Sequence, residues 1–105
     1  MAGLGKRSKK GRRKTRPDPH FVCPCCDYVT LSERGKYLIC PICFWEDEDI
    51  HYDTNPREPS AANHGLTLAE GRKNFRTIGA CEAEMLPHVL PEEDRADYLY
   101  FPLKD

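Results

Sequence analysis

The chain is 105 residues long and nearly charge-balanced, with 16 Lys and Arg against 17 Asp and Glu and a formal net charge of −1. That length allows one small domain, whose modest core calls for a staple. No stretch reaches transmembrane length and no apolar segment follows the basic N-terminus as in a secretory signal, which excludes a membrane-embedded role and predicts a cytoplasmic protein.

The charge is unevenly spread. Residues 1–16 hold eight basic side chains and no acid, whereas the remaining 89 residues carry eight basic against all 17 acidic groups, a net of −9. Met1 to Pro19 contains Gly, Lys, Arg and Ser with a single leucine, Leu4. Such a segment cannot bury enough apolar surface to offset chain entropy. The reading is a disordered basic tail over 1–19 joined to an acidic domain over 20–105.

The domain opens with the extended run His20-Phe21-Val22 and then two cysteine pairs, Cys23-Pro24-Cys25-Cys26 and Cys40-Pro41-Ile42-Cys43, separated by the thirteen residues Asp27 to Ile39. A C-x2-C turn points both sulfurs inward, and two such turns face to face make an all-sulfur cage suited to Zn2+. Proline at the second position presets each bend. In a reducing compartment, metal binding is preferred to disulfides for these residues. Cys23, Cys26, Cys40 and Cys43 complete four-coordination alone. A first-knuckle register using Cys25 would leave only one residue between ligands, and His20 is not needed as a ligand. Cys25, at the third knuckle position, is expected to point outward, and Cys81 to be buried as a small hydrophobe.

Between the knuckles, Tyr28-Val29-Thr30-Leu31 and Tyr37-Leu38-Ile39 flank Ser32 to Lys36, which predicts a β-hairpin joining the two cysteine turns. Phe44 and Trp45 read as a shield for the metal site and the first core; the alternative is an aromatic surface that stacks on a base. Glu46-Asp47-Glu48-Asp49 and Asp53 read as a solvated loop, with a hard-cation site or an acidic face for a basic partner as alternatives. Asp53 to His64 is loop-like. Thr67-Leu68-Ala69-Glu70 fits a capping box that starts a helix running to about Ile78 and closing at Gly79. Leu68, Phe75 and Ile78 share one face, and Gly71 inside the helix suggests close packing. Cys81 to Leu86 is expected to form a second short helix ended by Pro87, and Pro91-Glu92-Glu93-Asp94 another helix start. Tyr98-Leu99-Tyr100-Phe101 is expected to pack on the domain.

Several of these residues resemble the bacterial cysteine-rich CPCC domain family: Cys23-Pro24-Cys25-Cys26 followed by Tyr28, the run Cys40-Pro41-Ile42-Cys43-Phe44-Trp45-Glu46-Asp47, Asn63 and Gly65 before Leu68, Asn74-Phe75, and Gly79-Ala80-Cys81. The resemblance spans roughly Phe21 to Val89 and implies a zinc-binding domain without an assigned activity. Gly71 stands where alanine is expected, and the basic tail is not part of the pattern.

The resulting expectation is a small α+β zinc ribbon with a helical C-terminal region, non-enzymatic, binding a protein partner through its acidic domain. The tail over 1–16 is a candidate for sequence-independent nucleic-acid binding. A closed site of four cysteines has no position for substrate, and no small-molecule substrate is identified. The alternative is a thiol-based redox or metal-dependent enzyme using Cys25 or Cys81. That would require a base, for which His51, His64 and His88 are the histidines well inside the domain.

Overall fold

A computed structural model of the protein describes residues 19–102. The tail expected over 1–19 therefore lies outside the described residues except for Pro19. Within them the architecture is α+β: three two-stranded antiparallel sheets, one α-helix and short 3-10 turns.

The first two sheets each wrap one cysteine turn. β1 (Phe21–Val22) pairs with β2 (Val29–Leu31), joining Phe21 to Leu31 and Val22 to Val29 with an irregularity between. β3 (Leu38–Ile39) pairs with β4 (Glu46–Asp47). The apolar runs 28–31 and 37–39 do form strands, but they do not pair with each other. Each pairs with the strand on the far side of its own knuckle, because the cysteine turn itself already reverses the chain. The loop between the runs is drawn instead onto β4 and its neighbour. Arg34 donates from Nε to Asp47 at 2.8 Å and from Nη2 to Asp53 at 2.9 Å, and the Gly35 N–H reaches Asp47 at 2.8 Å.

This accounts for most of the acidic run. Asp47 is 1 % exposed and sits inside the fold. Glu48 accepts from the Ser60 hydroxyl at 2.8 Å and the Ala62 N–H, Asp49 caps the 3-10 turn Ile50–Asp53 through the His51 N–H, and Asp53 holds Arg34. The segment read as a solvated loop is thus a strand and a set of acceptors, one buried and two at the surface, fixed largely by donors that lie 12 to 19 residues away in sequence.

The third sheet, β5 (Pro59–Ser60) with β6 (Leu66–Thr67), encloses the 3-10 turn Ala61–Asn63. Asn63 is buried and docks this unit on β4 by imitating a strand partner: its Oδ1 accepts from the Glu46 N–H and its Nδ2 donates to the Glu46 carbonyl.

α1 (Leu68–Ile78) begins with the expected capping box, in which the Thr67 hydroxyl accepts from the Glu70 N–H and Glu70 accepts from the Thr67 N–H. It ends at Gly79 in the left-handed conformation at φ 87°. Leu68 is buried, Phe75 is half-buried against the core, and Ile78 is exposed. At Gly71 an added Cβ would lie 3.1 Å from the Trp45 ring and 3.3 Å from Cys25 Sγ, so the missing side chain lets the helix sit against the first knuckle. Gly71→Val is expected to destabilise the fold by about 1–3 kcal/mol through overpacking. Chemical denaturation checks this, and an unchanged midpoint would show that the contact is soft.

The core is Trp45, Leu31, Ile42, Tyr52 and Leu68 together with the cysteines. The C-terminal region supplies the 3-10 turns Ala83–His88, which carries Pro87 inside it, and Glu92–Asp97. The final segment lies along β2, with Val29 N–H bonded to the Leu99 carbonyl, Phe101 N–H to the Asp27 carbonyl, and Tyr28 bridged to Tyr100. The expectation that 98–101 packs on the domain holds for these residues.

Candidate metal centre

The two knuckles are built alike. In the first, Asp27 N–H donates to the Cys23 carbonyl and Cys23 N–H to the Tyr28 carbonyl. In the second, Phe44 N–H donates to the Cys40 carbonyl and Cys40 N–H to the Trp45 carbonyl. The residue after each second cysteine turns the chain with positive φ, 71° at Asp27 and 70° at Phe44. Non-glycine residues rarely adopt this conformation, and here two side chains fix it. Asp27 is gripped by both terminal nitrogens of Arg72, at 2.8 and 3.1 Å, and Phe44 stacks on His88.

Helix and C-terminal region hold the knuckles together. Arg72 also donates to the Pro24 carbonyl of the first knuckle. Cys81 N–H donates to the Cys43 carbonyl and Leu90 N–H to the Pro41 carbonyl of the second. Asn74 donates from Nδ2 to the Cys81 carbonyl and so links the helix to that attachment.

The outcome is a compact sulfur cluster. The Sγ atoms of Cys23, Cys26, Cys40 and Cys43 all lie within 4.8 Å of one another, with Cys23 to Cys43 at 3.7 Å and Cys26 to Cys40 at 3.6 Å. A tetrahedron with metal–sulfur bonds of about 2.3 Å has edges of about 3.8 Å, so the spacing fits a four-thiolate ion. All four residues are at most 3 % exposed. Donors are already aimed at the sulfurs: the Thr30 hydroxyl and Ile42 N–H at Cys40, and the Trp45 N–H at Cys43. Hydrogen bonds of this kind stabilise thiolates.

The electrostatics explain why such a cluster wants a cation. Burial first, then the neighbouring Cys26 and Cys40, push the Cys23 thiol well up; burial and Cys23 do the same for Cys43. Cys26 is also pushed up: Cys23 favours its thiolate, but Cys40 and Cys43 outweigh it. Cys40 alone is held well below the ordinary thiol range, because its sulfur neighbours and Thr30 overcome its burial. Four buried sulfurs this close oppose one another's ionisation, and ionising all of them needs a cation at the centre.

The remaining cysteines are also inside. Cys25 is 2 % exposed, which corrects the expectation that it points outward: Gly71 leaves it a slot against Trp45 and the helix. Cys81 is 1 % exposed, as expected, and burial followed by nearby Cys25 pushes its thiol up to about 12. A sulfur kept protonated and away from solvent is a poor nucleophile. Of the histidines considered as bases, His51 lies between Asp49 and Glu58, His64 pairs with Glu82 and His88 stacks on Phe44. His64, Glu82 and Glu84 also bring three ligand atoms within 4.8 Å at the surface, but His64 and Glu84 are exposed and the group reads as a hydrogen-bonded His64–Glu82 pair with a neighbouring acid.

Sequence reasoning found the four clustered cysteines from their spacing but missed the groups that orient them, Arg72, Asn74 and Thr30. A cation 45 residues beyond Asp27 carries no local signal of its role. Among the described residues no helix is long and apolar enough to cross a membrane.

A family model described as Cysteine-rich CPCC matches residues 21–96 of the chain. Neither a curated protein nor a solved structure matches it.

Proposed function

The chain belongs to the cysteine-rich CPCC family, and from that premise we propose that it is a zinc-stapled interaction module: a zinc ribbon whose metal is structural and whose surface receives a protein partner. The observation that carries this reading is the closure of the cluster. Four buried sulfurs at tetrahedral spacing supply every coordination position, and a zinc site that activates water keeps one open. Burial of Cys25 and Cys81 weighs further against thiol chemistry. The all-sulfur donor set favours Zn2+ over the hard cations Ca2+ and Mg2+.

The partner face we propose lies in the C-terminal half. Asp47, Glu48, Asp49 and Asp53 are engaged by donors of the same chain, whereas Glu84, Glu92, Glu93 and Asp94 are exposed. Such a face attracts a basic protein and repels nucleic acid. The eight cations of residues 1–16 form a second, opposite element, proposed to bind nucleic acid without sequence preference.

Metal analysis by mass spectrometry is expected to find one zinc per chain and six free thiols once the metal is stripped. Disulfides among Cys23, Cys26, Cys40 and Cys43, or a metal-free folded chain, would defeat the proposal. For the tail, deleting residues 1–16 is expected to abolish salt-dependent RNA and DNA binding; an unchanged affinity and salt slope would remove that element.

A further inference from the structure

Among the described residues, two groups bring three or more metal-ligating atoms within 4.8 Å of one another: the four cysteines, and His64 with Glu82 and Glu84. The second group joins parts of the chain that are far apart in sequence. His64 Nδ1 lies 2.7 Å from an oxygen of Glu82, 18 residues on.

The backbone fixes both sides. His64 closes the 3-10 turn Ala61–Asn63 in the left-handed conformation, and the Gly65 N–H after it donates to the Ser60 carbonyl at 2.8 Å. Asn63, just before it, is buried and bonded to Glu46. On the other side Glu82 follows Cys81, whose N–H donates to the Cys43 carbonyl and whose carbonyl accepts from Asn74. The Met85 N–H then donates to the Glu82 carbonyl and starts the turn that carries Glu84. Both halves are set by the fold, so side-chain rotation alone closes the three ligands on an ion. The Glu82 side chain is 19 % exposed and well ordered by its surroundings, whereas His64 at 56 % leaves the group open to solvent.

Charge and donor type select the ligand. Two carboxylates beside a neutral imidazole carry a charge that a divalent cation neutralises, and residues 17–105, with a net charge of −9, attract cations generally. The His64–Glu82 bond satisfies one carboxylate, while that of Glu84 has no partner among the described residues. An imidazole nitrogen among carboxylate oxygens suits Zn2+, Co2+ and Ni2+ and disfavours Ca2+ and Mg2+, which take oxygen ligands. Three protein ligands also leave room for water, unlike four cysteines. Acids around a histidine are not enough by themselves. Asp49 lies 3.3 Å from His51 Nδ1 and Glu58 3.2 Å from its Nε2, so these acids sit on different ring nitrogens and do not converge.

We propose that His64, Glu82 and Glu84 form a second, exchangeable site for a divalent transition-metal ion, which ties the β5–β6 unit to the C-terminal region. The site rests on its own residues and stands whatever the cysteines hold.

The test titrates Zn2+ into the full-length, reduced protein whose cysteines have already been saturated with zinc, followed by calorimetry and by NMR of the histidine rings. One further ion per chain is expected, moving the His64 resonances and leaving those of His51 in place. Co2+ in place of the added Zn2+ is expected to broaden the same His64 signals, and Ca2+ or Mg2+ at equal concentration to leave them unchanged. His64→Gln and Glu84→Gln are each expected to weaken the further ion at least about tenfold, and His51→Gln to leave it as it is. Glu84→Gln is the more stringent of the two, because it removes an exposed carboxylate that makes no contact the fold depends on. No further ion, an equal response to Ca2+, or an affinity that both the His64 and Glu84 variants leave unchanged would overturn the proposal; the last would assign the ion to other surface acids.

Discussion

Cys43→Ser is expected to abolish the folded state under conditions where the parent protein is fully native. A structural zinc contributes on the order of 10 kcal/mol, against about 5–15 kcal/mol for the whole stability of a small domain. The loss is not confined to one bond. Cys43 Sγ accepts from the Trp45 N–H, and its carbonyl receives Cys81, so one residue joins the sulfur cluster, the core tryptophan and the C-terminal region. Serine keeps the size but supplies a hard oxygen that ionises far less readily and that zinc binds poorly beside three thiolates. Near-ultraviolet circular dichroism, which reports the asymmetric packing of Trp45, is expected to collapse in the variant. It should collapse in the parent too when a strong chelator is added, and recover when zinc is returned. Cys25→Ser is the comparison: Cys25 is equally buried but lies outside the cluster, and the variant is expected to retain its metal. A Cys43→Ser protein that unfolds cooperatively near the parent's midpoint would show that the hydrophobic core suffices alone.

Spacing made the sulfur cluster readable because a C-x2-C turn is a local device, and its geometry is set within a few residues. The helix was readable for the same reason: Thr67, Glu70 and Gly79 act on their own backbone. Strand pairing was not. The runs 28–31 and 37–39 have the composition of a hairpin, yet nothing in either says which of two neighbours it will join. Each joins the strand across its own cysteine turn, which reverses the chain, and the Arg34–Asp47 contact, between residues 13 apart, then holds the intervening loop on β4. Burial of Cys25 is hidden from the sequence on similar grounds. It depends on the missing side chain at Gly71, which matters only once the helix has been laid across the knuckle. Acidic clusters mislead in the same way, since a run of carboxylates looks solvated until its donors, Ser60, Ala62 and Gly35, are brought to it.

Asp47→Ala is the second large effect, expected to cost about 3 kcal/mol. Asp47 is 1 % exposed, and in the native protein it accepts from Arg34 Nε at 2.8 Å, from Arg34 Nη2 at 3.3 Å and from the Gly35 N–H at 2.8 Å. Truncation leaves a part-buried guanidinium with only its outer partner and a backbone donor with none, each a penalty of the size that unsatisfied polar groups incur. It also frees the 32–36 loop from β4, beside the β3–β4 pair that flanks the second knuckle. The neighbouring acid offers an internal control. Asp53 holds the same arginine at 2.9 Å but is 38 % exposed at its side chain, so Asp53→Ala is expected to cost no more than about 1 kcal/mol. A double-mutant cycle with Arg34→Ala separates the two. The coupling of Arg34 to Asp47 is expected to exceed its coupling to Asp53 severalfold, as read from denaturation midpoints with zinc in excess. Equal couplings would mean that the buried position of Asp47 adds nothing, and that the loop is held by the Gly35 N–H and by surface charge alone.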